Sequence, residues 1–299
     1  MRLVRYFTAG GPVHIGALEG DAVVPLALAD HGDDSPLLEI AMSRRRPDDI
    51  GAPVPLVQAH LLSPLHAPTT IRDFLTFEAH YANFLQGQTG SADIPAEWYR
   101  TPVFYFTNPA VVFGPGDEIP RPQTEQLDYE LEVAVVIGRE GADVSVADAP
   151  DLIAGYTLFN DFSARDIQKV EMALGLGASK CKDFAQSLGP CLATPDEFGG
   201  EPGQPRARIR ARVNGREYGV DDLANMTHSF ARLISHASTS SRLRPGDVLG
   251  SGTAATGCIM ELAGLHGHKK YPWLQPGDVV ELEAEGIGVL SNTIGPRRG

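Results

Sequence analysis

The segment LDYELEVAVVIG, residues 127–138, restricts the fold of this chain more than any other stretch. From Val133 to Ile137 it is apolar on both sides of the pleat, the pattern of a strand covered on both faces. The same strand opens with Glu130 and Glu132. Successive side chains in a strand point to opposite faces, so these two carboxylates leave from one face, with their Cα atoms roughly 6–7 Å apart. At that spacing they repel by about 2 kcal/mol at an effective dielectric near 20, and desolvation adds to this. A partner is needed. An arginine is one candidate, and a divalent ion with oxygen ligands at about 2.0–2.6 Å would satisfy both groups at once.

The spacing alone does not decide between them. The stretch VELEAEG places Glu281, Glu283 and Glu285 in the same alternation, where they read as the solvated face of a strand. Composition adds a constraint. Across 299 residues, 25 Lys and Arg face 38 Asp and Glu, a net charge of -13, which argues against nucleic acid and anionic membrane as partners and supplies carboxylates for a hard cation. Three cysteines, Cys181, Cys191 and Cys258, form no CxxC pair and support neither a disulfide framework nor a zinc finger. The first residues lack a sustained apolar core and no long apolar run follows, so a cytoplasmic protein is expected.

Short alternating stretches between glycines predict a small N-terminal β-rich module over residues 1–68, and the prolines of LLSPLHAPTT lead into a larger unit over 69–299. In IRDFLTFEAHYANFLQG, Phe74, Phe77, Tyr81, Phe84 and Leu85 have helical spacing, with Gly87 as the expected stop. Asp73 and His80, seven positions apart, would share a face if both are helical. IAGYTLFND reads as a strand running into a helix, with Ser163 and Asp166 as its capping box. After residue 200 the chain is strand-rich. ARIRARVNGREYG predicts a hairpin turning at Asn214-Gly215, and THSFARLISHAS a helix. The two Pro-Gly-Asp segments, LRPGDVLGSG and LQPGDVVELE, read as similar turns rather than an internal repeat.

Asp161 ends the second strand, where a side chain reaches into a site at a sheet edge, although helix capping explains it equally well. His80 by itself fits a helix histidine with a local partner. HExxH, GxSxG and GxxxxGK[ST] motifs are absent, GLGASK and GSGTAATG miss the dinucleotide fingerprint, and His266 and His268 of LHGHKK read as a surface pair.

Taken in order, RDFLTFEAH, LDYELEVAVVIG, NDFSARDIQ, CKDFAQSLGP and GSGTAATGCIMEL resemble the fumarylacetoacetate hydrolase family over about Thr69 to Ile294. The resemblance implies an α+β, mainly β fold: a mixed β-sandwich roll as catalytic domain, usually a homodimer, with the small N-terminal β module in front. It implies Mg²⁺, Mn²⁺ or Ca²⁺ held by Asp73, Glu130, Glu132 and Asp161. The Asp73–His80 spacing is that of fumarylacetoacetase itself, which implies His80 as the base that activates water, Glu261 as its orienting partner, and Lys182, or Lys180 two residues earlier, as the stabiliser of negative charge. Tyr105, Gln168 and Thr253 would contact the substrate. The activity implied is hydrolysis of a C–C bond in a small-molecule 2,4-diketo acid. The alternative on the same scaffold is an isomerase, hydratase or oxaloacetate-type decarboxylase. Two positions depart from fumarylacetoacetase: a substrate-binding arginine falls on Thr89 and a tyrosine on Met172, so a smaller acylpyruvate-type substrate fits as well.

Overall fold

The strand Leu131–Ile137 is buried along its whole length, as its two apolar faces demand. Leu131, Val133, Val135 and Ile137 join the larger hydrophobic core, whereas Ala134 and Val136 enter a smaller one with Leu37, Ile40 and Leu192. It pairs antiparallel with Ile153–Asp161 on one side and Val248–Gly250 on the other. This computed structural model describes residues 1–30, 32–175 and 177–297.

The fold is α+β with β predominant. The main sheet runs Val54–Pro55, Ala22–Ala29, His14–Glu19, Arg2–Phe7, Gln186–Ala193, Ile153–Asp161, Leu131–Ile137, Val248–Gly250, Ile71–Phe74 and Phe104–Thr107. It is mixed, because Val248–Gly250 and Ile71–Phe74 are parallel. A second sheet runs Arg216–Asp222, Arg208–Val213, Val279–Ala284, Gly288–Arg297 and Glu118–Arg121. Val133, Val135 and Leu158 from the first sheet and Ile209, Leu282 and Leu290 from the second meet in the larger core. The helices are α1 (Ser35–Ser43), α2 (Glu78–Thr89), α3 (Arg165–Ala173), α4 (Phe230–Ser238) and α5 (Ile259–His266). None among the described residues is long and apolar enough to cross a membrane.

The N-terminal strands extend the main sheet, since Arg2–Phe7 pairs with Gln186–Ala193. They are joined by α1, which the strand-only expectation omitted. Pro36 opens its first turn and Leu37, Leu38, Ile40 and Ala41 are buried on it. The single helix expected from Ile71 also divides. Ile71–Phe74 is a strand between two partners, and α2 starts only at Glu78. Sheet pairing overrides the helical period there, so Asp73 and His80 share no helix face. The helix continues through Gly87 to Thr89, and Gly90, at φ 77, closes it.

The Ser163–Asp166 capping box does not form. Ala164 is the N-cap of α3, Ser163 Oγ donates to the Asp161 carbonyl, and the Asp166 carboxylate accepts from Thr124 Oγ1 and Glu125 N, tying down a neighbouring loop. The hairpin turns as expected: Asn214 and Gly215 have φ of 52 and 73, both positive as a type I′ turn requires. The Pro-Gly-Asp segments are turns of one kind. Asp247 accepts from Arg244 N and Asp278 from Gln275 N, and a third copy, Asp117, accepts from Gly114 N. His266 and His268 are exposed, and the three cysteines are free and buried.

Candidate metal centre and acid–base pair

The strands carrying Asp161, Glu132, Gly250 and Asp73 are consecutive neighbours in the main sheet. Alternation puts Asp161 on the face of Phe159, Glu132 on that of Ala134 and Val136, and Asp73 on that of Ile71, all members of the smaller core. The carboxylates are therefore the polar end of one apolar floor. Ligand oxygens of Asp73, Glu130 and Glu132 lie within 4.8 Å of one another. Gly250 stands between two of them. A Cβ there would come within 2.6 Å of Asp73 Oδ1 and 2.9 Å of Glu132 Oε2, so the carboxylates meet over the one position without a side chain.

Lys182 Nζ lies 2.5 Å from Glu130 Oε2 and 2.7 Å from Asp161 Oδ2. Of the two lysines left open by the sequence, this is the one at the cluster. Lys180 has 70% of its side chain exposed and pairs with Asp183. Arg165 bonds Glu130 Oε1 and Asp128 Oδ2, each at 2.8 Å, and Asp128 in turn accepts the Ile259 and Met260 amides that open α5. Tyr105 donates to Asp73 Oδ2 at 2.9 Å and also contacts Asp161 Oδ2. Gly252 N donates to Glu132 Oε2 at 3.0 Å, with Thr253 Oγ1 near its other oxygen.

Asp128, Glu130 and Asp161 thus pair with the two cations Lys182 and Arg165, Asp73 and Glu132 lie alongside them, and all seven are buried. Burial, and then Asp161 alongside, raises Asp73 to about 7. Burial and Asp73 hold Glu132 well above the ordinary carboxylate range. Burial pushes Glu130 up too, but Lys182 and Arg165 outweigh it and bring Glu130 down to about 2. Asp161 Oδ1 is buried without a hydrogen-bond partner among the described residues, and Asp73, beyond its Tyr105 contact, has only the Glu132 carboxyl beside it. More carboxyls than cations, two of them crowded into holding protons and one buried oxygen of Asp161 unanswered, make a donor set that fits a hard divalent cation.

Across the cavity, His80 in the first turn of α2 meets Glu261 in the first turn of α5, Nδ1 to Oε2 at 2.7 Å. Glu261 Oε1 accepts from Asn83 Nδ2 at 2.6 Å and from Thr256 N at 2.9 Å. Asn83 follows His80 by one helical turn, so both face α5. A cavity of about 420 Å³ is lined by Asp73, His80, Tyr105, Glu130, Gln168, Lys182 and Thr253, with Phe74, Phe104 and Met172 on its apolar side. Arg165, Asp128, Asn83 and Gly250 were not singled out from the sequence. Arg165 lay inside the quoted NDFSARDIQ, and Asn83 carried a signal in its spacing from His80.

Residues 69–295 match the fumarylacetoacetate (FAA) hydrolase C-terminal family. The chain belongs to the fumarylacetoacetate hydrolase family. Within it, the chain is 33% identical over 236 residues to oxaloacetate tautomerase YisK of Bacillus subtilis (strain 168), covering 77% of this chain and 73% of that one. Among solved structures it resembles fumarylacetoacetate hydrolase (EaFAH) from psychrophilic Exiguobacterium antarcticum, with a TM-score of 0.76, 27% identity, and 99% and 100% of the two chains covered. It also resembles 5-carboxymethyl-2-hydroxymuconate delta-isomerase from Mycobacterium smegmatis, with a TM-score of 0.73, 26% identity and both chains covered in full. Hydrolase, isomerase and tautomerase names all occur in this fumarylacetoacetate hydrolase set.

Proposed function

We propose that this chain is a divalent-metal-dependent enzyme that interconverts the keto and enol forms of a compact 2-oxo diacid of the oxaloacetate type. The observation that carries this reading is the sharing of one cavity of about 420 Å³ by His80 and by Asp73, Glu130 and Lys182. The likeness to a tautomerase supports it. Asp73, Glu130, Glu132 and Asp161 would hold Mg²⁺, Mn²⁺ or Ca²⁺. When bound, such an ion supplies Lewis-acid polarisation of the 2-oxo group and electrostatic stabilisation of enolate charge.

The rest falls to the chain itself. With its Nδ1 proton on the Glu261 carboxylate, His80 keeps Nε2 unprotonated for proton exchange at the carbon beside the carbonyl. Glu261, fixed by Asn83 and the Thr256 amide, stabilises the imidazolium that forms. Lys182 offers a buried ammonium to the developing oxyanion. Gln168 accepts from Arg165 through Oε1, which leaves its amide N–H groups for a substrate oxygen, and Thr253 adds a hydroxyl. Thr89, standing where fumarylacetoacetase has an arginine, sits exposed at the end of α2, so a compact diacid fits better than an extended one.

The second reading is hydrolysis of a C–C bond in a 2,4-diketo acid, favoured by the same His80–Glu261 geometry, which suits proton removal from water. Enol absorbance of oxaloacetate and of an acylpyruvate panel, with and without EDTA, alongside pyruvate and CO₂ release, separates the two. We expect EDTA-sensitive relaxation of the oxaloacetate enol without pyruvate or CO₂. Pyruvate from acylpyruvates with no acceleration of that relaxation makes the enzyme a hydrolase, and CO₂ release a decarboxylase.

A further inference from the structure

We propose that this chain has a second metal site, inhibitory and selective for a borderline-soft cation of the zinc type, formed by His80, Cys258 and Glu261. The inhibitory half rests on the acid–base role given above to His80 and Glu261. The binding half does not.

One ligand atom from each residue lies within 4.8 Å of the other two, and all three residues are buried. Imidazole nitrogen, thiolate sulfur and carboxylate oxygen make the mixed donor set zinc prefers, whereas the carboxylates around Asp73 offer only oxygen. Tetrahedral zinc with bonds of about 2.0–2.3 Å sets these nitrogen, oxygen and sulfur atoms about 3.3–3.5 Å apart, so no pair need close by more than about 1.5 Å, and the 2.7 Å contact of His80 Nδ1 with Glu261 Oε2 opens where those atoms are the ligands.

The local geometry allows that closure. Cys258 and Glu261 bracket the first turn of α5, where Cys258 Sγ caps the Glu261 amide at 3.5 Å, and His80 already touches Glu261. Access exists from two sides. His80 lines the substrate cavity, and Glu261 lines an adjoining cavity of about 710 Å³ that shares Phe84, Arg165, Gln168, Met172 and Met260 with it. Water from either can take the fourth position.

Binding is coordination without electron transfer. The Cys258 thiol loses its proton to solvent, and sulfur, nitrogen and oxygen each donate a pair to the ion. If the ion takes Nε2, His80 has no free nitrogen left. If it takes Nδ1, Nε2 carries the ring proton. Either way the base is lost, while hard ions continue to occupy the carboxylates.

The probe is Co²⁺ added to metal-free protein with Mg²⁺ in excess, followed by the thiolate-to-cobalt charge-transfer band in the near ultraviolet, then Zn²⁺ as competitor and as inhibitor of turnover. We expect a band that saturates at one equivalent, yields to Zn²⁺, and disappears in Cys258→Ser, which keeps an N-cap acceptor for α5. His80→Ala, on another element, should weaken it as well. Zn²⁺ inhibition should weaken by roughly tenfold or more in Cys258→Ser. No band in folded wild type, a band unchanged in Cys258→Ser, or inhibition equal in the two proteins overturns the proposal. A band with no turnover of any substrate leaves the site standing and removes the proposed function instead.

Discussion

Lys182 Nζ stands 2.5 Å from Glu130 Oε2, an ammonium and a carboxylate both withdrawn from water. Desolvation alone would favour neutral forms of both, but Asp161 and Glu130 hold Lys182 charged, and Lys182 with Arg165 holds Glu130 ionised. Lys182→Met leaves Glu130 and Asp161 facing one another without their shared cation. We expect it to lower unfolding stability by about 3–5 kcal/mol in metal-free protein. Urea denaturation with and without Mg²⁺ measures this, and a loss no larger than for an ordinary surface lysine counts against the pairing.

Asn83 touches no substrate in the proposed mechanism, yet it holds one oxygen of Glu261. Asn83→Ala should reduce kcat by roughly tenfold with KM little changed, because the imidazole loses its fixed partner rather than a substrate contact. Asn83→Asp should do worse, since it sets a second carboxylate against Glu261. Steady-state kinetics on both variants tests the pair, and an unchanged kcat in Asn83→Ala would sink the positioning role.

Gly250→Ala inserts a methyl group into the gap between Asp73 and Glu132. We expect Mg²⁺ affinity to fall by roughly 10–100-fold, with a destabilisation of only about 1–3 kcal/mol. Calorimetric titration set beside thermal unfolding separates the two effects. Wild-type affinity in the variant means that the carboxylates do not converge on an ion.

The pH dependence has a definite sign. Asp73, ordinarily near 3.8, is raised to about 7 in the metal-free fold by burial and Asp161. The folded chain therefore holds a proton that the unfolded chain has released. Stability from this group is present in full below about 3.8 and is lost as pH rises through about 7. A divalent cation at the proposed site would replace that proton, so the stabilisation given by Mg²⁺ should widen as pH climbs toward 7. Unfolding midpoints across that window, with Mg²⁺ and with EDTA, check it. A Mg²⁺ effect independent of pH is the contrary result.

What the sequence disclosed depends on how local each signal was. Leu131–Ile137 could be placed because its apolar run and its two glutamates are contiguous, and Asn214-Gly215 because a type I′ turn needs only its own two residues. Phe74, Phe77 and Tyr81 carry a helical spacing that reaches back toward Asp73, while a pairing that makes Ile71–Phe74 a strand lies with Val248–Gly250, far along the chain. Gly250 carries no local signal for the same reason. Its value is the space it leaves between two side chains on other strands. The choice between Lys180 and Lys182 needed burial, which two lysines spaced two apart do not reveal.

Because the carboxylates arrive from separate strands that are adjacent in the main sheet, the proposed ion site can form only after those strands have found their register. Loop-closure entropy must be met by apolar strand pairing first, and the cation can reward only a chain that is already assembled. Metal ions should accordingly slow unfolding much more than they speed folding, so that depletion shortens the lifetime of the native protein without preventing new chains from reaching it.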